Sequence, residues 1–243
     1  MRTIFLALAV NILCVSSAAA AQQPVWDELL RQYVHEGRVD YQGWSTERSL
    51  LEHYLEGLGL LSLTTGSWTR NGQLAFWINA YNACVIKGVL DHYPITSVKD
   101  VKGFFDKTRY QVAGESLTLN EIEAKGRALG DWRIHMAVVC GAWSCPPLRS
   151  EAYVPERLDE QLADQVRRFL NDPQRGLRLE GSTLWASKIF DWYRKDFVVG
   201  RLDIAALLRV VHTYAPEGFL AAAEGRSLQL KFLNYDWSLN RQP

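Results

Sequence analysis

The sequence carries no net charge, because 27 Lys and Arg offset 27 Asp and Glu. It also has no long basic run, so neither a nucleic-acid partner nor attachment to an anionic membrane is expected. A Gly-rich phosphate loop, a C-x-x-C pair and a C-x-x-C-H sequence are all missing. That argues against nucleotide, redox and haem classes, and no cofactor is expected. No segment beyond the N-terminal leader reaches transmembrane length, so no membrane insertion is expected once the leader is removed. Internal repeats, low-complexity tracts and Pro/Ser linkers are absent too, which favours one domain.

The first feature present is that leader. Arg2 precedes an apolar run from Ile4 to Val15, and Ala19 and Ala21 fit an A-x-A cleavage pattern before Gln22. Residues 1–21 therefore read as a signal peptide, and residues 22–243 as a single exported domain, periplasmic or extracellular. Cleavage removes Cys14 and leaves Cys84, Cys140 and Cys145. Export favours disulfides, but an odd count leaves at least one thiol free. Aromatic residues make up 12% of the chain, enough for a large core or for an aromatic-lined cleft.

The periodicity predicts helices over Val25–Glu36, Thr46–Leu58 and Thr69–His92, the last stopped by Pro94. A hairpin is expected at Arg109–Asn120, turning at Ala113-Gly114-Glu115, and Thr118 with Glu121 fits a capping box. Trp132–Cys140, rich in β-branched residues, reads as a central strand. A helix opened by Pro155, a second hairpin turning at Glu180-Gly181-Ser182, the aromatic stretch KIFDWYRKDF, a helix over Asp203–Tyr214 and a last strand at Leu228–Trp237 follow. The expected class is α+β: helices packed on a mainly antiparallel sheet, with one long buried central helix.

Within that helix, "LAFWINAYNACVI" is apolar on every face yet carries Asn79 and Asn82. Three residues apart, they share one face. A buried amide without a partner costs roughly 1–3 kcal/mol, so both must be bonded to a loop, a side chain or a ligand. They either pin an irregular loop or line a site. The other unusual stretch is "RIHMAVVCGAWSCPPL", where an apparently buried run feeds a loop with Ser144, two cysteines and two prolines. Four readings stand for it: a Cys140–Cys145 disulfide, a nucleophilic cysteine, a metal site with His135, or a redox pair. The four-residue gap is loose for zinc and departs from C-x-x-C. If Cys140 is the nucleophile, His135 is the candidate base, with His92 as an alternative. On a regular strand, however, positions 135 and 140 point to opposite faces. His212 reads as a packing residue, and Asp191 and Asp196 read as surface or capping acids, with pocket acids as the alternative.

These motifs carry a resemblance. "FWINAYNACVI", "YPITSV", "LTLNEIE", "RIHMAVVCGAWSCPPLR", "IFDWYRKDF" and "YDWSLN", spanning about Leu29–Asn240, are similar to the family called domain of unknown function 547, many of whose bacterial members are exported. A fold-level likeness to papain-like and transglutaminase-like cysteine enzymes follows from a central helix succeeded by a histidine-bearing strand, although here the helix bears asparagines where those folds place the nucleophile. The function expected is a cysteine-dependent hydrolase or acyl-transfer enzyme acting on amide or ester bonds of the cell envelope. Cys140 would be the nucleophile, His135 the base, and Asn79 the residue that orients the base or donates to the oxyanion. Asn82, Tyr81, Ser144, Cys145 and Trp192 would contribute to binding a small-molecule, peptide or envelope ligand, and no metal is expected. The alternative is a non-catalytic binding module stapled by a 140–145 disulfide.

Overall fold

The structure, a computed structural model, describes residues 23–63 and 68–243; the expected signal peptide lies outside them. Helix α1 (23–33) runs into a two-residue hairpin, β1 (Val34–His35) and β2 (Arg38–Val39), turned through Glu36 and Gly37 at positive φ. Glycine has no Cβ to clash there. Helices α2 (Tyr41–Thr46) and α3 (Ser49–Leu60) follow.

The centre is α4 (Arg70–Leu90). Thr69 caps it, its Oγ1 accepting from the Gly72 N–H at 3.0 Å, one of the amides that a helix start leaves without an internal partner. Every residue from Leu74 to Ile86 is buried, as expected of a helix without a polar stripe. Around α4 pack α2, α3 and α5 (Leu119–Arg127). The hairpin β3 (Arg109–Val112)–β4 (Glu115–Thr118) leads into α5 through a Thr118–Glu121 capping box. Its turn, Ala113-Gly114, has both residues at positive φ, the geometry that matches the twist of a tight hairpin.

A second apolar cluster surrounds α6 (Leu158–Leu170), α9 (Ile204–Val211) and a sheet of β5 (Leu177–Glu180), β6 (Thr183–Ala186) and β7 (Gln229–Phe232). In it β5 pairs antiparallel and β7 parallel with β6. Short helices α7 (Lys188–Trp192) and α8 (Arg194–Phe197) pack into this second cluster, and α10 (Phe219–Ala223) precedes β7. The class is α+β, its strands divided among three small sheets among the described residues.

One expectation fails. Trp132–Met136 is a 3-10 helix, and residues 137–140 pair with no strand. The run is buried against α4, and Asn82 stands where a neighbouring strand would. Its Nδ2 donates to the Ala137 carbonyl at 3.0 Å, and its Oδ1 accepts from the Val139 N–H at 2.8 Å. Asn79 treats Tyr153 likewise, donating to its carbonyl at 2.8 Å and accepting from its N–H at 3.0 Å. On the other side of that segment Gln161 donates to the Ala152 carbonyl and accepts from the Val154 N–H. Residues 152–154 are thus bonded on both edges like a strand, but by side-chain amides. Gln165 donates to the Pro147 carbonyl at 2.6 Å. Four buried amides therefore hold the irregular segment 137–154 on helices α4 and α6.

Candidate functional site

A cavity of about 270 Å³ opens where the two apolar clusters meet. Its walls include Tyr81 on α4, Glu123 on α5, His135 on the 3-10 helix, Cys140 and Cys145 on the loop, and Trp192 at the end of α7. Phe105, Tyr193, Tyr235 and Trp237 complete an aromatic lining. Trp192 packs on Tyr235 at 4.7 Å between ring centres and stacks on Trp237 at 5.9 Å. Trp192 is nonetheless 47% exposed, so this aromatic platform forms the mouth of the cavity.

Because 135–140 is not a strand, alternation of faces does not apply, and His135, Cys140 and Cys145 line the same space. His135 is buried. Its Nε2 lies 2.8 Å from Asp196 Oδ2, and the same oxygen accepts from Arg127 Nε at 2.7 Å. The Arg127 hydrogen bond, with help from His135, holds the Asp196 carboxyl below its usual range. Burial lowers the His135 pKa to about 4 against the opposing pull of Asp196. The ring is therefore neutral at pH 7, and a carboxylate on Nε2 requires the proton there. Nδ1 is left as a lone-pair acceptor, buried and without a partner.

Glu123 belongs to the apolar stripe of α5, with Leu119, Ile122 and Gly126. Burial raises its pKa, and Asp196 adds to the rise while Tyr193 and Arg127 oppose it. Its Oε1 has no partner. Tyr193 packs against the His135 ring at 4.2 Å between ring centres. Burial also pushes the phenols of Tyr81, Tyr193 and Tyr235 well above their ordinary value, so each is a hydroxyl donor at neutral pH.

Cys140 and Cys145 are joined by a disulfide, and Cys84 is the buried free cysteine of the described residues. The Cys145 sulfur accepts from the Cys140 N–H at 2.9 Å and from the Tyr235 hydroxyl at 3.1 Å. Ser144 does not line the cavity. Its N–H donates to the Asp236 carbonyl at 3.1 Å and its Oγ accepts from the Asp236 N–H at 2.9 Å, so it anchors the segment that carries Tyr235. Asn79 and Asn82 also lie outside the cavity wall, with donor and acceptor both engaged. Asn79, expected to orient the base or serve the oxyanion, pairs with the Tyr153 backbone, and Asn82, expected to bind ligand, pairs with 137 and 139.

Of the expected site residues, the cavity collects Tyr81, His135, Cys140, Cys145 and Trp192. Glu123, Tyr193, Tyr235 and Trp237 were missed. Glu123 had a signal in the sequence, an acid spaced three or four residues from apolar neighbours on one helix face. Asp196 is exposed, as a surface acid would be, and it also bonds His135 Nε2. No group of three His, Cys, Asp or Glu side chains among the described residues is arranged to hold a metal ion.

Residues 65–170 match the family described as protein of unknown function, DUF547. The matched residues supply Tyr81, Glu123, His135 and both cysteines of the cavity, whereas Trp192, Tyr193, Tyr235 and Trp237 come from the chain beyond them. Neither the curated proteins nor the solved structures contain a match to the chain.

Proposed function

We propose that the cavity is the ligand site of an exported envelope protein, and that the Cys140–Cys145 disulfide is part of its wall. The ligand is a small molecule, peptide or envelope fragment with a flat apolar face and at least one hydrogen-bonding group. One observation carries this reading: of two residues that line a cavity rich in aromatic side chains, Glu123 Oε1 and His135 Nδ1 are both buried without partners. Buried polar atoms are ordinarily satisfied, and those that are not point to a missing partner. A disulfide in the wall agrees with an oxidising compartment. The test is equilibrium dialysis of the protein against a small-molecule extract of cell envelopes, with mass spectrometry of what is retained. A species held by the wild type and lost with Glu123→Leu and with Trp192→Ala is expected. Equal retention by all three proteins, or none by the wild type, would overturn the reading.

A second reading, a cysteine-dependent hydrolase or acyl-transfer enzyme, is favoured by His135 and Cys140 lining one cavity. It requires Cys140 as a thiol, whose proton a neutral His135 would accept. Thiol titration of the exported native protein separates the two. One thiol, at Cys84, supports the binding protein; three thiols, with Cys140 reacting fast, support the enzyme.

A further inference from the structure

The two sulfurs of the cavity wall are not equivalent. Cys145 is 4% exposed, and its sulfur receives both the Cys140 N–H and the Tyr235 hydroxyl. Cys140 is the more exposed partner, and its sulfur lies 3.3 Å from the same hydroxyl. The hydroxyl is held in place. Asp236, the next residue, is bonded twice to Ser144, and the Tyr235 ring is packed against both Trp192 and Trp237, each at 4.7 Å. Donors aimed at a sulfur that does not yet carry charge resemble the arrangement by which sites stabilise charge before it develops. In thiol–disulfide exchange the leaving sulfur develops that charge, and the better-stabilised thiolate leaves faster.

We propose that Cys140–Cys145 is an exchange centre for small aliphatic thiols, in which the incoming thiolate attacks Cys140 and Cys145 departs. In the first step an S–S bond forms between the small thiol and Cys140 as the Cys140–Cys145 bond breaks. The electron pair of the broken bond stays on Cys145 Sγ, where the backbone N–H and the Tyr235 hydroxyl receive it. A second small thiolate then attacks the small-molecule sulfur of the mixed disulfide, releasing Cys140. Two small thiols are oxidised to their disulfide, the protein disulfide is reduced to two thiols, and the two protons lost from the small thiols end on the cysteines. A small disulfide runs the sequence backwards. Attack at Cys145 is disfavoured on two counts: it is the less accessible sulfur, and the Cys140 thiolate so released would have only the Tyr235 hydroxyl beside it among the contacts described. The cavity admits thiols of a few heavy atoms beside the aromatic wall. This reading needs only the sulfurs, the hydroxyl and access, so failure of the dialysis experiment above leaves it standing.

The experiment uses the full native chain and β-mercaptoethanol. Reduction is followed in native buffer by acid quench, maleimide capture and peptide mapping, beside a urea unfolding curve for each protein. The expected result is reduction far faster than global unfolding, with the β-mercaptoethanol adduct on Cys140 and maleimide on Cys145. Tyr235→Phe, which removes only the hydroxyl, is expected to slow reduction about tenfold and to raise the pH at which reduced Cys145 shows thiolate absorbance. An adduct on Cys145, reduction limited by global unfolding, or a Tyr235→Phe protein of unchanged rate would each overturn the proposal. Should Tyr235→Phe not fold, the site of the wild-type adduct decides alone.

Discussion

At the scale of single residues, Asn82 carries more than its size suggests. Its carboxamide serves one carbonyl and one N–H of a buried segment that has no strand beside it. Asn82→Ala removes both bonds and leaves two backbone groups without partners. A loss of about 3 kcal/mol is expected in urea denaturation, against under about 1 kcal/mol for an exposed site. His135 sets a pH dependence. Its folded pKa of about 4 lies below the ordinary 6.5, so between those values the unfolded chain binds the extra proton. Stability must then fall as pH drops through that window. Glu123, with its pKa raised, acts in the opposite sense: it favours the folded state at low pH and withdraws that support as pH rises. The two are separable by difference. Wild type is expected to lose up to about 3 kcal/mol more than His135→Gln on going from neutral pH to pH 4. Parallel curves for the two proteins would show that the histidine is not buried as a neutral ring.

At the scale of elements, the close approach of α5 to its neighbours rests on a missing side chain. A Cβ on Gly126 would sit 2.6 Å from Ile134 Cδ1 and 3.2 Å from Trp77 Cβ. Ile134 is itself buried, so its side chain must shift within a packed core. Gly126→Ala should gain about 1 kcal/mol of helix propensity and lose more through overpacking. A net destabilisation of about 1–2 kcal/mol is expected, read from the urea midpoint. The elements also show what was legible in the sequence. The central helix was, to within two residues at each end, because an all-apolar stretch of that length between Thr69 and Pro94 admits little else. The two later hairpins were legible from their turn residues, and α5 from its capping box. Trp132–Cys140 was not, because a β-branched run reports burial and not pairing. What replaces the ladder there is a side chain on a helix more than fifty positions earlier in the chain. The same long-range bonding hid the site. That Asn79 and Asn82 are bonded followed from the cost of burying an amide, but their partners did not. Glu123 and Tyr235 enter the cavity only through packing that no local pattern records.

At the scale of the whole molecule, segment 235–242 ties together parts of the chain that lie far apart in sequence. Asn240 N–H donates to the Gly141 carbonyl and Leu239 N–H to the Thr96 carbonyl; Trp143 N–H donates to the Ser238 carbonyl and Val39 N–H to the Asn240 carbonyl. The buried Tyr41 hydroxyl donates to Asn240 Oδ1 at 2.8 Å. Tyr235 packs against both apolar clusters. Removing residues 235–243 deletes these bonds, takes Leu239 out of the core and uncovers Tyr41. A loss on the order of 5 kcal/mol is expected, a large part of what an ordinary domain has. It would be seen as a broadened thermal transition and rapid tryptic cleavage within 137–154; an unchanged transition would mean the segment is only draped on the surface.

That seam also fixes an order of events during synthesis. The cysteines emerge long before Tyr235, so they can pair on a chain whose cavity still lacks one wall. Tyr235 and Trp237 supply that wall, so the cavity takes shape only after their stretch has been made, well after both cysteines.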